Sequence, residues 1–90
     1  MEEYNIKISP AAERDLKNLK SKLKNFDDLT NVIDELSTNP RPHGVRKVKG
    51  FFITFRIRFP SYGIIYDIYD NKKIVILRIV KRNESTYKFI

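Results

Sequence analysis

The residues that could do chemistry in this 90-residue chain are arginines, lysines and tyrosines, and most of its cations lie in the second half. The formal net charge is +7. Residues 1–44 hold seven Lys or Arg against eight Asp or Glu, whereas residues 45–90 hold eleven against three. A basic field confined to one half of a chain favours a polyanion such as nucleic acid, or an acidic protein partner, over a role in solubility alone.

Such a set of side chains has a definite chemical range. Guanidinium groups can hold a phosphodiester through paired hydrogen bonds, and they can stabilise the negative charge that grows on phosphate during cleavage. In RNA the 2′-hydroxyl is an internal nucleophile, so cleavage does not strictly need a metal-bound water. A tyrosine could stack on a base or, with its pKa lowered by nearby cations, take part in proton transfer. Composition alone favours binding without chemistry over catalysis.

Other kinds of active site have little support in the sequence. The chain has no cysteine, and its one histidine, His43, lies in a loop, so neither a thiolate nor a serine–histidine triad is expected. Carboxylates do not cluster at the spacing of metal ligands, and the three glycines are isolated rather than gathered in a phosphate-binding loop. We therefore expect neither a metal nor a cofactor.

The cellular location is predicted from what the chain lacks. Its acidic N-terminus is followed by no apolar run, and no apolar stretch approaches the ~20 residues of a membrane helix. The absence of cysteine suits a reducing compartment. These features predict a protein without a signal peptide or membrane contact, located in the cytoplasm.

The cations must be positioned by a strand-rich block from Lys49 to Arg82. Successive side chains of a strand point to opposite faces, so the run 51–59 predicts Phe and Ile on one face and Phe52, Thr54, Arg56 and Arg58 on the other. Residues 62–69 and 74–82 read as two further strands, the last apolar on both faces. Residues 45–49 predict a short strand or an extended loop beside them, bringing three cations close.

The first half of the chain supplies the remaining layer. Residues 4–8 alternate as a short strand, and Ser9-Pro10 starts a helix predicted over 10–24. A second helix begins near Asp27-Asp28 and must stop by Asn39, which precedes a proline. We predict one α+β domain over residues 1–90 in the order β-α-α-β-β-β, with an antiparallel sheet of about four strands. The helical hairpin covers one face of the sheet, and Arg56 and Arg58 project from the other.

These elements, in their order, resemble the RelE/ParE toxin superfamily from Tyr4 to Tyr87. The resemblance rests on Lys47-Val48-Lys49-Gly50, a strand ending Arg-Ile-Arg, the segment 62–68 and an apolar strand ending Lys81-Arg82. It implies a toxin of a type II toxin-antitoxin module, a ribosome-dependent mRNA endonuclease that cleaves in the A site without metal. Its implied partners are the ribosome, mRNA and a RelB-like antitoxin with an acidic toxin-binding segment; operator DNA would be reached only through the antitoxin complex.

The resemblance also assigns site residues. The catalytic set it implies is Arg56, Arg58, Arg82 and Tyr87, and the set expected to contact RNA or the ribosome is Arg46, Lys47, Lys49, Arg78 and Lys81. One position departs from the family pattern, because Gly63 stands where an active-site arginine is expected. A lost charge-assisted contact to the scissile phosphate costs ~1.5–3 kcal/mol, or roughly one to two decades of rate, unless Arg58 or Arg78 substitutes for it.

Two alternatives remain open at this point. The chain could be a ParE-like toxin that inhibits DNA gyrase by binding, without nuclease activity, and Gly63 favours that interpretation. It could also be a catalytically attenuated member that mainly binds its antitoxin. Arg82 followed by Tyr87 favours the endonuclease.

Overall fold

Two helices and five strands make up the described part of the chain, which comprises residues 3–60 and 62–81 of the computed structural model. In chain order they are β1 (Asn5–Ile8), α1 (Pro10–Lys20), α2 (Phe26–Glu35), β2 (Arg46–Lys47), β3 (Thr54–Phe59), β4 (Tyr62–Tyr69) and β5 (Lys73–Lys81). This is the predicted α+β order with one additional short strand, β2. Within these ranges no helix is long and apolar enough to cross a membrane.

The five strands form one mixed sheet in the order β1-β5-β4-β3-β2. Strands β2 to β5 are an antiparallel meander, whereas β1 lies parallel to β5, with Ile6 opposite Ile74. The predicted sheet of about four antiparallel strands is therefore corrected to five strands, one of them parallel. Side-chain alternation has the same period in either strand direction, so the sequence pattern does not record the direction. The two helices carry the chain from β1 at one edge of the sheet to β2 at the other, and the meander then returns it to β5 beside β1.

The starts of both helices agree with their capping signals. The Ser9 hydroxyl accepts a hydrogen bond from the Ala12 N–H (3.0 Å), and Pro10 occupies the first turn of α1. Helix α1 ends at Lys20, four residues before the predicted end, although Leu23 still packs against the core. Helix α2 has Asp27 and Asp28 in its first turn, where the helix dipole favours carboxylates.

The core lies between the helices and one face of the sheet, as predicted. Its buried members come from both helices and from β3, β4 and β5; they are Ala12, Leu19, Leu29, Ile33, Leu36, Ile57, Phe59, Ile64, Tyr66, Ile68, Ile74, Ile76 and Ile79. Tyr66 is the largest fully buried side chain, and its hydroxyl donates to the Pro40 carbonyl (2.7 Å). Ile65 is also buried but belongs to the opposite face of the sheet.

Helix α1 replaces β1 as the neighbour of the second half of β5. Strand β1 ends opposite Ile76, and a β-bulge follows, because Tyr66 pairs with Ile76 but Ile65 pairs with Arg78. The Ser9 hydroxyl then donates to the Leu77 carbonyl (2.8 Å). Side chains at the start of the helix thus satisfy backbone groups that an edge of the sheet would otherwise leave unpaired.

Strand β3 begins at Thr54 rather than at Phe51, so the predicted strand over 51–59 is too long. The Val48 N–H donates to the Thr54 carbonyl (2.9 Å), and the residues between them form a loop. Strand β2 covers only Arg46–Lys47, so residues 51–53 have no strand beside them on the β2 side, although the Ile68 N–H of β4 still donates to the Ile53 carbonyl (2.9 Å). Alternation of side chains continues through this loop in the sequence, which is why it was read as strand.

Candidate nucleic-acid interface

The sheet face opposite the helices carries arginines from two adjacent strands; we call it the arginine face and define it by Arg46, Arg56 and Arg58. Arg46 of β2 lies directly opposite Arg56 of β3. Side chains of directly opposed residues share a face, with Cβ atoms about 5 Å apart, and like charges placed this way destabilise a sheet. Arg56 is half-buried and Arg58 is exposed. The register thus brings guanidinium groups of two adjacent strands to one face, an arrangement that suits an anionic ligand.

The arginine face is not bare. Its central positions Thr54 and Ile65 are buried, and Gly63 between Arg58 and Val80 is buried as well. Ile65 lies in register between Arg56 and Arg78, whose long stems can cover it while their charged ends stay accessible. The face from which Arg56 and Arg58 project thus also carries a second, small group of buried residues.

One carboxylate, that of Asp67, lies among the described strand residues of this face, and each of its oxygens accepts a hydrogen bond. The Thr54 hydroxyl donates to Asp67 Oδ1 (2.6 Å), and the Tyr69 hydroxyl donates to Asp67 Oδ2 (3.3 Å). The Asp67 charge raises the pKa of Tyr69, so this phenol holds its proton more tightly than an ordinary tyrosine. Tyr69 is therefore a poor general base, and Asp67 acts as an acceptor that satisfies a buried hydroxyl.

Arg78 is bound to helix α1. Its guanidinium donates from Nε to Asp15 Oδ2 (2.8 Å) and from Nη2 to Asp15 Oδ1 (3.2 Å). These hydrogen bonds raise the pKa of Arg78, and they hold the side chain at the edge of the sheet. A ligand would have to compete with Asp15 for the Arg78 guanidinium. Arg78 is therefore a weak substitute for the active-site arginine that is expected at the position of Gly63.

The strand geometry places the cations of the basic segment 46–49 on different sides of the sheet. Arg46 faces the same side as Arg56, whereas Lys47 lies opposite Phe55, on the side of the core. Lys47 Nζ lies 5.9 Å from the ring centre of Phe52, and Lys49 is an exposed loop residue. Lys81 ends β5 and is exposed, opposite Tyr62. The predicted cations therefore surround the β2–β3 edge and the end of the sheet rather than forming one cluster.

Two predicted site residues, Arg82 and Tyr87, lie outside the described residues. Between Arg56 and Arg58, the predicted catalytic residues that are described, lies the buried Ile57, so both arginines project from the same face. No group of three His, Cys, Asp or Glu side chains that could hold a metal occurs in residues 3–60 and 62–81. The described geometry can bind and polarise phosphate through guanidinium groups.

Two features were missed by sequence reasoning. The Arg41 guanidinium lies 5.3 Å from the ring centre of Phe55, where it adds a cation beside β2. The loop before β3 exposes aromatic side chains, and Phe52 is 89% exposed. Gly50, with φ of +87°, forms the turn at which this loop reverses, but it precedes the predicted strand over 51–59 and so does not separate residues 51–53 from that strand.

Comparison with known proteins places this arrangement in a family. A family model described as the ParE toxin of the type II toxin-antitoxin system, parDE, matches residues 6–86. A candidate toxin, RelE1, of Methanocaldococcus jannaschii is 33% identical over 89 residues, covering 94% of this chain and 96% of the relative.

Solved structures agree in fold. The archaeal RelE–RelB complex of Pyrococcus horikoshii OT3 contains a chain with a TM-score of 0.76 and 25% identity, covering 90% of this chain and 97% of that one. The toxin-antitoxin complex RelBE2 of Mycobacterium tuberculosis gives a TM-score of 0.72 and 25% identity, with 89% and 99% covered. The chain belongs to the ParE toxin family of type II toxin-antitoxin systems, within the RelE/ParE superfamily.

Proposed function

We propose that this toxin is a ribosome-dependent mRNA endonuclease of the RelE kind, which cleaves mRNA in the A site and inhibits translation in the cytoplasm. The observation that carries the proposal is the arginine face, where Arg46 and Arg56 are directly opposed and Arg58 follows on the same side. The relative RelE1 and the solved RelBE2 and RelE–RelB complexes are named as RelE proteins, which supports the proposal. The chemistry needs neither metal nor cofactor, because the nucleophile is supplied by the RNA.

The roles of the arginines follow from their charge and geometry. Arg56 and Arg58 hold the scissile phosphate and stabilise the charge that develops on it. Guanidinium does not titrate near neutral pH, so these residues act electrostatically rather than as acid or base. Arg82 and Tyr87 are assigned by the family resemblance, Arg82 to phosphate and Tyr87 to stacking or proton transfer. Arg46, Lys47, Lys49, Arg78 and Lys81 complete the proposed RNA and ribosome contacts.

The proposal is tested by mapping mRNA 5′ ends by primer extension in a bacterial translation extract. Arg58→Ala should reduce the cleavage rate roughly ten- to hundredfold, because one charge-assisted contact worth ~1.5–3 kcal/mol is lost. Arg82→Ala should abolish discrete cuts. Lys17→Ala, which removes an exposed charge from α1, is the matched control and should cleave like the unmodified protein. Unchanged cleavage by folded Arg58→Ala and Arg82→Ala variants would remove these residues from the site.

A cognate antitoxin is the second proposed partner. Chains of similar fold are found in RelE–RelB and RelBE2 complexes, and the basic second half of this chain suits an acidic binding segment. We expect the dissociation constant to rise steeply with salt when the toxin is titrated with the product of the neighbouring gene. A salt-insensitive constant, or no stable complex, would count against this partner.

Gyrase inhibition is the second candidate function, because the matching family model is named for ParE and because Gly63 occupies the position where an active-site arginine is expected. Gly63 pairs with Arg58 and Val80, so the missing side chain would have projected beside Arg58. A gyrase supercoiling assay decides between the two: inhibition with intact mRNA would establish this candidate. Intact mRNA and normal supercoiling would together leave an attenuated toxin that mainly binds its antitoxin.

A further inference from the structure

The loop between β2 and β3 presents apolar side chains to solvent. Phe51, Phe52 and Ile53 are 41%, 89% and 38% exposed. A phenylalanine as exposed as Phe52 contributes almost nothing to the core, and together with its two neighbours it forms a contiguous exposed apolar patch, the kind of surface that can mark a binding site. The proposed cleavage mechanism makes no use of Phe52.

The loop is held in a defined conformation. Buried Val48 anchors it, with the Val48 N–H bonded to the Thr54 carbonyl (2.9 Å) and the Phe51 N–H bonded to the Val48 carbonyl (3.1 Å). The Ile68 N–H bonds to the Ile53 carbonyl (2.9 Å) and fixes the other end. Gly50, at φ +87°, closes the turn. A ligand that binds the projecting ring therefore needs to order little additional backbone.

Cations flank the exposed ring. Lys47 Nζ lies 5.9 Å from the ring centre of Phe52, and the depression beside the ring, about 350 Å³, is lined by Lys47, Val48, Lys49, Gly50, Phe51 and Phe52. The sequence has no Asp or Glu between Glu35 and Asp67, and six Lys or Arg in that stretch. The surroundings of the ring thus favour a ligand that is planar, aromatic and attached to negative charge.

We propose that Phe52 stacks against an unpaired nucleobase of an RNA strand while Lys47 and Lys49 contact the neighbouring phosphates. This inference rests on the proposed function, since it names a further RNA contact of the same toxin. A nucleobase fits better than an apolar protein side chain because stacking needs one planar face beside cations. A specific protein interface instead buries ~800 Å² on each partner, more than one projecting ring provides.

The test measures binding of a labelled single-stranded RNA of about ten nucleotides, within the range that one small domain covers. Phe52→Ala should weaken binding about five- to hundredfold, because it removes the stacking surface. Phe52→Leu, which keeps apolar bulk without a planar ring, should weaken it similarly, whereas Phe52→Tyr should bind like the unmodified protein. An RNA duplex of the same sequence offers no unpaired base, and its affinity should be the same for all four proteins.

The salt dependence of RNA binding distinguishes the contribution of the Phe52 ring from that of the lysines. Lys47→Ala should reduce the slope of log affinity against log salt by about 0.7, the value for one phosphate contact on a single strand, and Phe52→Ala should leave the slope unchanged. Equal binding of single-stranded RNA by Phe52→Ala and unmodified protein would overturn the proposal. Loss of antitoxin binding by Phe52→Ala with RNA affinity unchanged would also overturn it, in favour of a protein partner. Since neither ribosomes nor cleavage enter the measurement, its failure is distinct from failure of the endonuclease proposal.

Discussion

Asp15 connects helix α1 to strand β5 through both oxygens of its carboxylate. Oδ2 accepts hydrogen bonds from Arg78 Nε (2.8 Å) and from the Ile79 N–H (2.9 Å), and Oδ1 accepts one from Arg78 Nη2 (3.2 Å). The Ile79 N–H lies on the side of β5 that faces away from β4, past the end of β1, so without Asp15 it would have no hydrogen-bond partner in a strand on that side. At the scale of single residues, this carboxylate fixes the segment of β5 that leads to the end of the sheet.

Asp15→Ala should lower the free energy of unfolding by about 1–2 kcal/mol, because an acceptor is withdrawn from a backbone N–H and the guanidinium is half exposed. Asp15→Asn keeps a side-chain oxygen for the Ile79 N–H and should lose less. Urea-induced unfolding measures both values. Asn18→Ala, at an exposed position of the same helix, is the control. Equal unfolding free energies for Asp15→Ala and the control would show that the Asp15 hydrogen bonds to β5 contribute nothing to stability.

Tyr66 gives a second prediction at the residue scale. Its hydroxyl donates to the Pro40 carbonyl inside the core, and burial raises the pKa of Tyr66 well above its ordinary value of 10.0. Tyr66→Phe should lower the unfolding free energy at pH 7 by about 1 kcal/mol, the net value of one hydrogen bond. A raised pKa stabilises the fold fully below pH 10 and progressively less above it, because the unfolded chain then ionises. The stability difference between the two proteins should therefore shrink above pH 10; a constant difference would contradict this account.

At the scale of elements, Ser9 joins the first strand, the first helix and the last strand. Its hydroxyl accepts from the Ala12 N–H (3.0 Å) and donates to the Leu77 carbonyl (2.8 Å), while its own N–H bonds to the Ile76 carbonyl (3.0 Å). One side chain thus caps α1 and seats it on the bulged part of β5. The position of the helix relative to the strand that carries Arg78 depends on this junction.

Ser9→Ala should destabilise the protein by about 1–2 kcal/mol, since both the helix cap and the link to Leu77 are lost. Ser21→Ala is a matched control at the other end of α1, where the hydroxyl bonds only to the exposed Asn18 carbonyl (3.3 Å). Thermal unfolding of the two variants measures the difference. If both variants lost equal stability, the junction would have no special role.

The elements also show how far the sequence determines the fold. The signals at Ser9-Pro10 and at Asp27-Asp28 predicted both helices, because such signals are local. The parallel direction of β1 and the pairing of Arg78 with Asp15, 63 positions away, depend on tertiary contacts that no local pattern records. The loop around Phe52 was missed because its apolar residues continue the alternation of the strand that follows, and the turn at Gly50 lies before the predicted strand.

At the scale of the whole molecule, charge and fold are arranged together. The helices and β1 come from the half with balanced charge, and β2 to β5 come from the half that carries the excess of cations. The arginine face, the exposed loop and the end of β5 all belong to that second half. This distribution could be read from the sequence, whereas the separation of Arg46 from Lys47 to opposite sides required the strand register.

Ribosome dependence of mRNA cleavage tests the central proposal most directly. Purified toxin is incubated with one mRNA either free in solution or engaged by assembled ribosomes, and the 5′ ends are mapped by primer extension. We expect discrete cuts within translated codons when ribosomes are present, and intact mRNA when they are absent. Cuts in free mRNA alone, or mRNA that stays intact on translating ribosomes, would contradict the proposal.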